Sequence, residues 1–419
     1  MIKVCGGCRG IFKWAVLFTL AQFIAGCGES GSDTQASLSS SSTTTASASD
    51  SNKDANWYAV WATAQTGVTT TRFDNQTLRL VVYPTGGGDK LRIKLRSFFG
   101  NDSVRIGAVT VSQRRERDQI VEGSTVPLFF NGQKSFTLQA GEDMFSDSSR
   151  FATEAFKDIV VDVFIEDSAA VSQDSAAYLT SYVGAPGSGD LTGQNSANSF
   201  RSATTAMPLL EEVSVFSSGL AGTIVAVGGS VVDGVGSDVD QHNRWSDVLA
   251  VRLMGQPGKK LTVVNEGVSG NTTEDVLARF DRDILDKTGI SHVVIYAGTN
   301  DLSLPPPLGS TAEQIMGNFR ALIKKSHDLK KKVIISTITP RLQYFPMSNE
   351  ERKKVNDWVK KGGNCSGECD GVVDFDSVLS WAPYPNMINP AFDSGDTVHP
   401  NGTGYKAMAE SFDLSIFSN

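Results

Sequence analysis

Polar and apolar positions follow two different periods along the chain. From Asn56 to about Val183 the apolar residues fall in short runs or alternate with polar ones, the two-residue period of a strand. Candidate strands are Leu78–Tyr83, Leu91–Phe98, Val104–Val111, Phe136–Gln139 and Ile159–Ile165. Turn-forming stretches separate them at Thr85–Asp89, Gly100–Asp102 and Asn131–Gly132. Arg92, Lys94 and Arg96 alternate with Leu91, Ile93 and Leu95, which predicts a strand with one face in solvent. The spacing fits a small all-β sandwich. Arg114–Arg117 reads as a solvated loop, and Ala185–Ala206, rich in Gly, Ser and Asn, as a linker or long loop. Leu209–Phe216 predicts one more strand before the pattern changes.

From Gly222 onward strands alternate with helices. Thr223–Val227 is a continuous apolar or β-branched run that stops at Gly228-Gly229-Ser230, the pattern of a buried parallel strand ending in a tight turn. Further strands are expected at Leu261–Asn265, His292–Ala297, Val333–Ile338 and Val372–Phe375. Helices are expected at Arg244–Met254, Thr272–Leu285, Ser310–Lys330, Glu350–Lys361 and Thr403–Phe412. In Thr272–Leu285 the residues Val276, Phe280 and Ile284 share one face, and Ser310 with Glu313 forms a capping box at the start of the next helix. Alternation of this kind predicts an α/β fold, a doubly wound parallel sheet with helices on both faces.

The 419 residues are enough for two domains, and a hydrophobic content of 40% with 20% charged is that of a globular protein. A net charge of −8 with no basic face argues against nucleic acid as a partner. Residues 1–26 read as a targeting segment: Lys3, Arg9 and Lys13 precede an apolar core from Trp14 to Ala25. The segment ends Ile24-Ala25-Gly26-Cys27, which looks like a bacterial lipobox and implies cleavage before Cys27 and a lipid on that cysteine. Gly28 is not the aspartate that favours inner-membrane retention, so the expectation is an exported lipoprotein on the outer membrane. Residues 27–53, mostly Ser, Thr and Ala, read as a disordered tether. Residues 54–220 are then a β-rich accessory domain with its linker, and 221–419 a second, α/β domain. Beyond Cys27 only Cys365 and Cys369 remain; in an oxidising compartment they are expected to close a small disulfide loop. A metal site there is disfavoured, with no histidine or second cysteine pair nearby.

A serine at the end of a buried strand invites the question of its base. There are four histidines. His292 begins a strand and reads as structural, and His327 lies among lysines and reads as solvated. His242, in a polar loop after the serine turn, stays open. His399 lies in Asp393-Ser-Gly-Asp-Thr-Val-His-Pro400, where Asp396, three residues earlier in a turn, can hold the imidazole tautomer.

Four blocks, in order, carry a resemblance. Gly228-x-Ser230 after the first strand, Gly270 after the second, Gly298-x-Asn300-Asp301 after the third and Asp396-x-x-His399 near the end resemble the SGNH/GDSL hydrolase superfamily. The likeness runs from Gly222 to about Phe417, and the Trp57-x-x-x-Trp61-Ala-Thr start resembles the N-terminal β-domain of one bacterial subgroup. It implies a flavodoxin-like SGNH domain with Ser230 as nucleophile, His399 as base and Asp396 as its orienter. It also implies an oxyanion site made by the backbone N–H groups of Ser230 and Gly270 and the Asn300 amide. No cofactor or metal is expected. The substrate implied is a small-molecule or polysaccharide acyl ester, with short acetyl-type groups favoured. A phospholipid acylhydrolase, an acyltransferase with the same triad, and a non-catalytic glycan- or partner-binding lipoprotein stand as alternatives. The last is kept open because Gly229 stands where the family carries aspartate.

Overall fold

The structure, a computed structural model, describes residues 55–195, 199–258 and 260–418. The targeting segment, Cys27 and the tether lie outside the described residues.

In chain order the longer strands of the first part are β1 (Trp57–Ala62), β2 (Gln76–Val82), β3 (Lys90–Arg96), β4 (Val104–Glu116), β5 (Ile159–Ile165), β6 (Ser181–Gly184), β7 (Phe200–Thr204) and β8 (Leu210–Phe216). One antiparallel sheet runs β1-β8-β3, and the other runs β7-β6-β2-β5-β4. On the second, Val161 of β5 sits opposite Leu80 on one side and Val111 on the other. These residues meet Val60, Ile93, Val213 and Val215 of the first sheet in one core, so the two sheets form a sandwich.

The second part comprises β9 (Leu220–Gly228), α1 (Ser230–Asp233), α2 (Trp245–Met254), β10 (Lys260–Gly267), α3 (Thr273–Phe280), β11 (Ile290–Tyr296), α4 (Ala312–Asp328), β12 (Lys332–Ser336), α5 (Pro346–Lys360), β13 (Gly371–Val373), α6 (Phe375–Leu379) and α7 (Gly402–Glu410). Its five strands lie in the order β10-β9-β11-β12-β13, all parallel. That is the flavodoxin-like order, with the switch point between β9 and β11. β9 alternates across the sheet. Ile224 and Ala226 pack with Trp245, Leu249, Tyr405 and Met408. Val225 and Val227 pack with Val276, Phe280, Ile315 and Phe319.

Several local expectations change. Ala185–Ala206 is not merely a linker, because β7 lies in it and pairs with β6. Arg114–Glu116 extend β4, and Arg114 pairs with Asp158 at 2.6 Å rather than sitting in a loop. α4 is capped by Thr311 and Gln314, one residue past the expected pair. The helix after Thr272 loosens into a π turn at Asp281–Leu285. β13 ends at Val373, and Phe375 begins α6. Cys365 and Cys369 are joined as a disulfide, with Cα atoms 5.5 Å apart.

The polar face of β3 is the largest departure. Lys94 and Arg96 are buried, not solvated. Arg96 meets Glu211 at 2.8 Å, Lys94 meets Asp286, and Lys287 meets Glu211 at 2.6 Å. A second element, not water, covers that face, and each buried charge has an opposite charge beside it. β1 adds neutral links. The Ala59 carbonyl accepts from the hydroxyls of Thr223 at 3.1 Å and Thr262 at 2.7 Å, and its N–H donates to Thr288 O at 2.9 Å. Among the described residues no helix is long and apolar enough to cross a membrane.

Candidate active site

β9, β10 and β11 end in register, with Gly228 beside Gly267 and Tyr296. A Cβ on Gly228 would lie 1.7 Å from the Tyr296 carbonyl oxygen, so only glycine lets β9 run this close to β11 up to its end. Ser230 then opens α1 at the carboxyl edge of the sheet, where α/β folds place their ligands. Its turn is closed by the N–H groups of Val232 and Asp233 donating to Gly229 O at 3.0 and 3.1 Å.

Ser230 Oγ lies 2.8 Å from His399 Nε2. His399 Nδ1 lies 2.6 Å from Asp396 Oδ2. The other carboxylate oxygen accepts from the N–H groups of Val398 and His399 at 2.9 and 2.8 Å. Partial burial raises the Asp396 carboxyl, but the hydrogen bonds from the His399 ring and from the two N–H groups outweigh it and hold Asp396 down at about 2. The turn carrying both residues is fixed by Asp393, which accepts from Gly395 and Thr397, and by Gln343, whose Nε2 donates to Asp396 O at 2.8 Å and Thr397 Oγ1 at 2.7 Å.

The remaining histidines stand elsewhere. His242 stacks on Tyr83 with ring centroids 3.5 Å apart, and burial lowers its affinity for a proton. His292 bonds to Ser291, and burial pushes it down to about 4. His327 meets Asp370 at 2.8 Å, so it is partnered rather than only solvated. Of the four, His399 alone reaches Ser230.

Gly270 has φ +88°, which favours glycine, and its N–H, like that of Ser230, makes no hydrogen bond among the described residues. The Asn300 side chain donates to Asn271 O at 3.0 Å. Asp301 holds the next turn in place by accepting from the N–H of Thr273 at 2.9 Å and from its hydroxyl. Asp233, in the same turn of helix as Ser230, accepts from the Ser269 N–H at 3.2 Å and from its hydroxyl, next to Gly270. Burial first, and then the nearby Asp174 of the sandwich, pushes Asp233 up to about 7. Among the described residues no group of three or more His, Cys, Asp or Glu is placed to hold a metal ion.

Sequence reading passed over Asn271, Arg279 and Gln343. For Arg279 a signal existed, since a charge three residues after Val276 and next to Phe280 interrupts the buried face of α3. Asn271 and Gln343 act through contacts that no local pattern announces.

Residues 226–407 match the model of the GDSL-like Lipase/Acylhydrolase family. The platelet-activating factor acetylhydrolase IB subunit alpha1 of Rattus norvegicus is 29% identical over 102 residues, 24% of this chain and 41% of that protein. This chain therefore spans about two fifths of that relative's length. An acetylxylan esterase of Geobacillus stearothermophilus is 24% identical over 165 residues, 37% of this chain and 72% of that protein. Among solved structures, an acetylxylan esterase from the same organism superposes with a TM-score of 0.38 at 22% identity, covering 48% of this chain and 96% of that one. A GDSL-like lipase from Bacteroides thetaiotaomicron superposes with a TM-score of 0.36 at 22% identity, covering 46% and 87%.

Proposed function

With residues 226–407 matching the GDSL-like lipase/acylhydrolases, a family of carboxylic ester hydrolases, we propose that this chain is a serine esterase acting on short acyl esters through Ser230, His399 and Asp396. The observation that carries the proposal is the relay of two hydrogen bonds, 2.8 Å from Ser230 to His399 and 2.6 Å from His399 to Asp396.

His399 Nε2 takes the Ser230 proton as Oγ attacks the ester carbonyl carbon. The carbonyl π electrons move to oxygen, and the oxyanion is held by the N–H groups of Ser230 and Gly270 and by the Asn300 amide. Each such donor lowers the barrier by roughly 3–4 kcal/mol. Collapse breaks the bond to the alcohol oxygen, which leaves with the proton from His399. Water, deprotonated by His399, then attacks the acyl-enzyme and releases the acid and free Ser230. Asp396 keeps the proton on Nδ1 throughout, so that Nε2 is the basic nitrogen.

For the acyl group we favour acetyl, and for the alcohol a polysaccharide hydroxyl. The support is the acetylxylan esterase relative, which aligns over most of its own length, and the acetylhydrolase named among the others. A second reading, a lipid acylhydrolase, has its own observation. Leu304, Leu308, Leu342, Phe345 and Met347 are exposed, and the first two line a cavity of about 330 Å³ together with Asn300.

The test is a fluorophosphonate probe on wild type beside Ser230→Ala, with turnover of p-nitrophenyl esters of increasing chain length and of acetylated xylan. The expected result is labelling and acetate turnover that both vanish in the variant. Unlabelled, folded wild type would sink the esterase reading, and a preference for long chains would replace it with the lipid one. Export and lipidation at Cys27 remain part of the proposal on the strength of the sequence pattern; Cys27→Ser should release the protein from the membrane fraction, and unchanged membrane association would reject the anchor.

A further inference from the structure

Gly229 stands where the family carries aspartate, and the loss of an acid beside the nucleophile raises the question of what holds the site instead. The backbone at Gly229 is extended, with φ −91° outside the left-handed region that favours glycine. Space is what favours glycine there. A Cβ there would fall 3.1 Å from Asn271 O and 3.1 Å from Asn300 Nδ2, the two atoms of the hydrogen bond that aims the Asn300 amide.

Asn271 is itself held on several sides. Its side-chain oxygen accepts from Arg279 Nε at 2.7 Å, and its N–H donates to Val268 O at 3.1 Å. Arg279 is 7% exposed. Its Nη2 donates to Glu266 O at 2.7 Å, at the end of β10, and to Gly228 O at 3.2 Å, the residue before Gly229. One guanidinium on α3 thus ties the end of β9, the end of β10 and the loop that carries Gly270 and Asn271 to one rigid point.

We propose that Asn271, fixed by Arg279, is the positioning residue for the Asn300 amide, and that Gly229 keeps open the space this arrangement needs. The inference rests on the reading of Asn300 as an oxyanion donor. In this chain the donor is aimed from the α3 side, through a backbone carbonyl, and the vacated acid position is where that carbonyl fits. A Cβ at Gly229 is tight rather than impossible, so an added side chain shifts the Asn271 carbonyl or the Asn300 amide by a few tenths of an ångström.

The experiment compares kcat and KM for p-nitrophenyl acetate in wild type, Gly229→Ala, Asn271→Ala, Asn300→Ala and the two double variants with Asn300→Ala. Circular dichroism and thermal melting accompany each. Asn300→Ala should lower kcat by roughly a hundredfold or more. Gly229→Ala should lower kcat by roughly ten- to a hundredfold with KM within about twofold, because a donor displaced by a fraction of an ångström loses its grip on the transition state alone. Asn271→Ala frees Arg279 Nε and should lower kcat in the same manner but less. In the Asn300→Ala background neither second change should lower kcat further by more than about twofold, the non-additivity of residues that act as one unit. Wild-type kcat in Gly229→Ala and Asn271→Ala, or full additivity with Asn300→Ala, would overturn the positioning role while leaving Asn300 as donor. Unchanged kcat in Asn300→Ala itself would remove the oxyanion reading beneath it. Should Gly229→Ala not fold, the Asn271→Ala cycle decides alone, since Asn271 is only half-buried.

Discussion

In the proposed mechanism His399 is a base only while Nδ1 keeps its proton, and that depends on an acceptor of fixed charge. Asp396 is held at about 2 although nearly half its side chain, 46%, is exposed. Its carboxylate is therefore formed throughout the working range, and any acid limb in the rate profile belongs to another group. Asp396→Asn replaces an acceptor by an amide that can favour the wrong tautomer. We expect kcat to fall by roughly 10²–10⁴-fold with the melting temperature little changed; steady-state kinetics and a thermal melt on the same sample check it, and a loss under about threefold would mean that the backbone turn alone orients the ring. Asp396 and His399 were legible because they are three residues apart in one turn, so sequence distance and spatial distance coincide. Ser230 and His399 are 169 positions apart, and their meeting was expected from the choice among four histidines together with the resemblance, not from any local pattern. Arg279, Asn271 and Asn300 form a chain of contacts across two loops and one helix, and no single segment carries that information.

Whole elements were read with uneven success, for reasons that differ. The five parallel strands were visible because both faces are buried and the apolar runs are continuous. β7 was hidden in Gly-, Ser- and Asn-rich sequence. A strand held by backbone pairing to β6 needs no apolar run, and composition says little about it. The start of α4 slipped by one residue because Ser310 and Thr311 are both able to cap. Thr311 takes the role: its hydroxyl accepts from the Gln314 N–H and its own N–H donates to the Gln314 side chain at 2.8 Å, while the Ser310 N–H donates to Asp301 O at 3.0 Å. β3 misled for the opposite reason. Its alternation of charge and apolar residue is real, but alternation reports two unlike faces and does not say what lies against the polar one.

Across the whole molecule, that charged face is where the sandwich and the parallel sheet meet. Arg96, Lys94 and Lys287 from the two parts converge on Glu211, Asp283 and Asp286, and Glu266 lies fully buried beside Lys287. Burial pushes Glu266 up from 4.5 to about 8, despite the lysine. Below about pH 4.5 the group is protonated in both the folded and unfolded chain. Between there and about 8 only the unfolded chain releases the proton, so stability falls as pH rises, by at most about 1.4 kcal/mol per pH unit for one group. Asp233, raised to about 7, adds to the same slope. Glu266→Gln should flatten, without abolishing, the decline of melting temperature between about pH 5 and 8, and an unchanged slope would show that Glu266 is ionised in the fold. The link through β1 has a consequence in time. A chain made from its N-terminus produces Ala59 first, yet the groups that bond to it are Thr223, Thr262 and Thr288, made some 160 to 230 residues later. The sandwich is not finished when its last strand appears. Its seam at Ala59 cannot be complete until Thr288 has been made, because the bonds that close it all come from the later part of the chain.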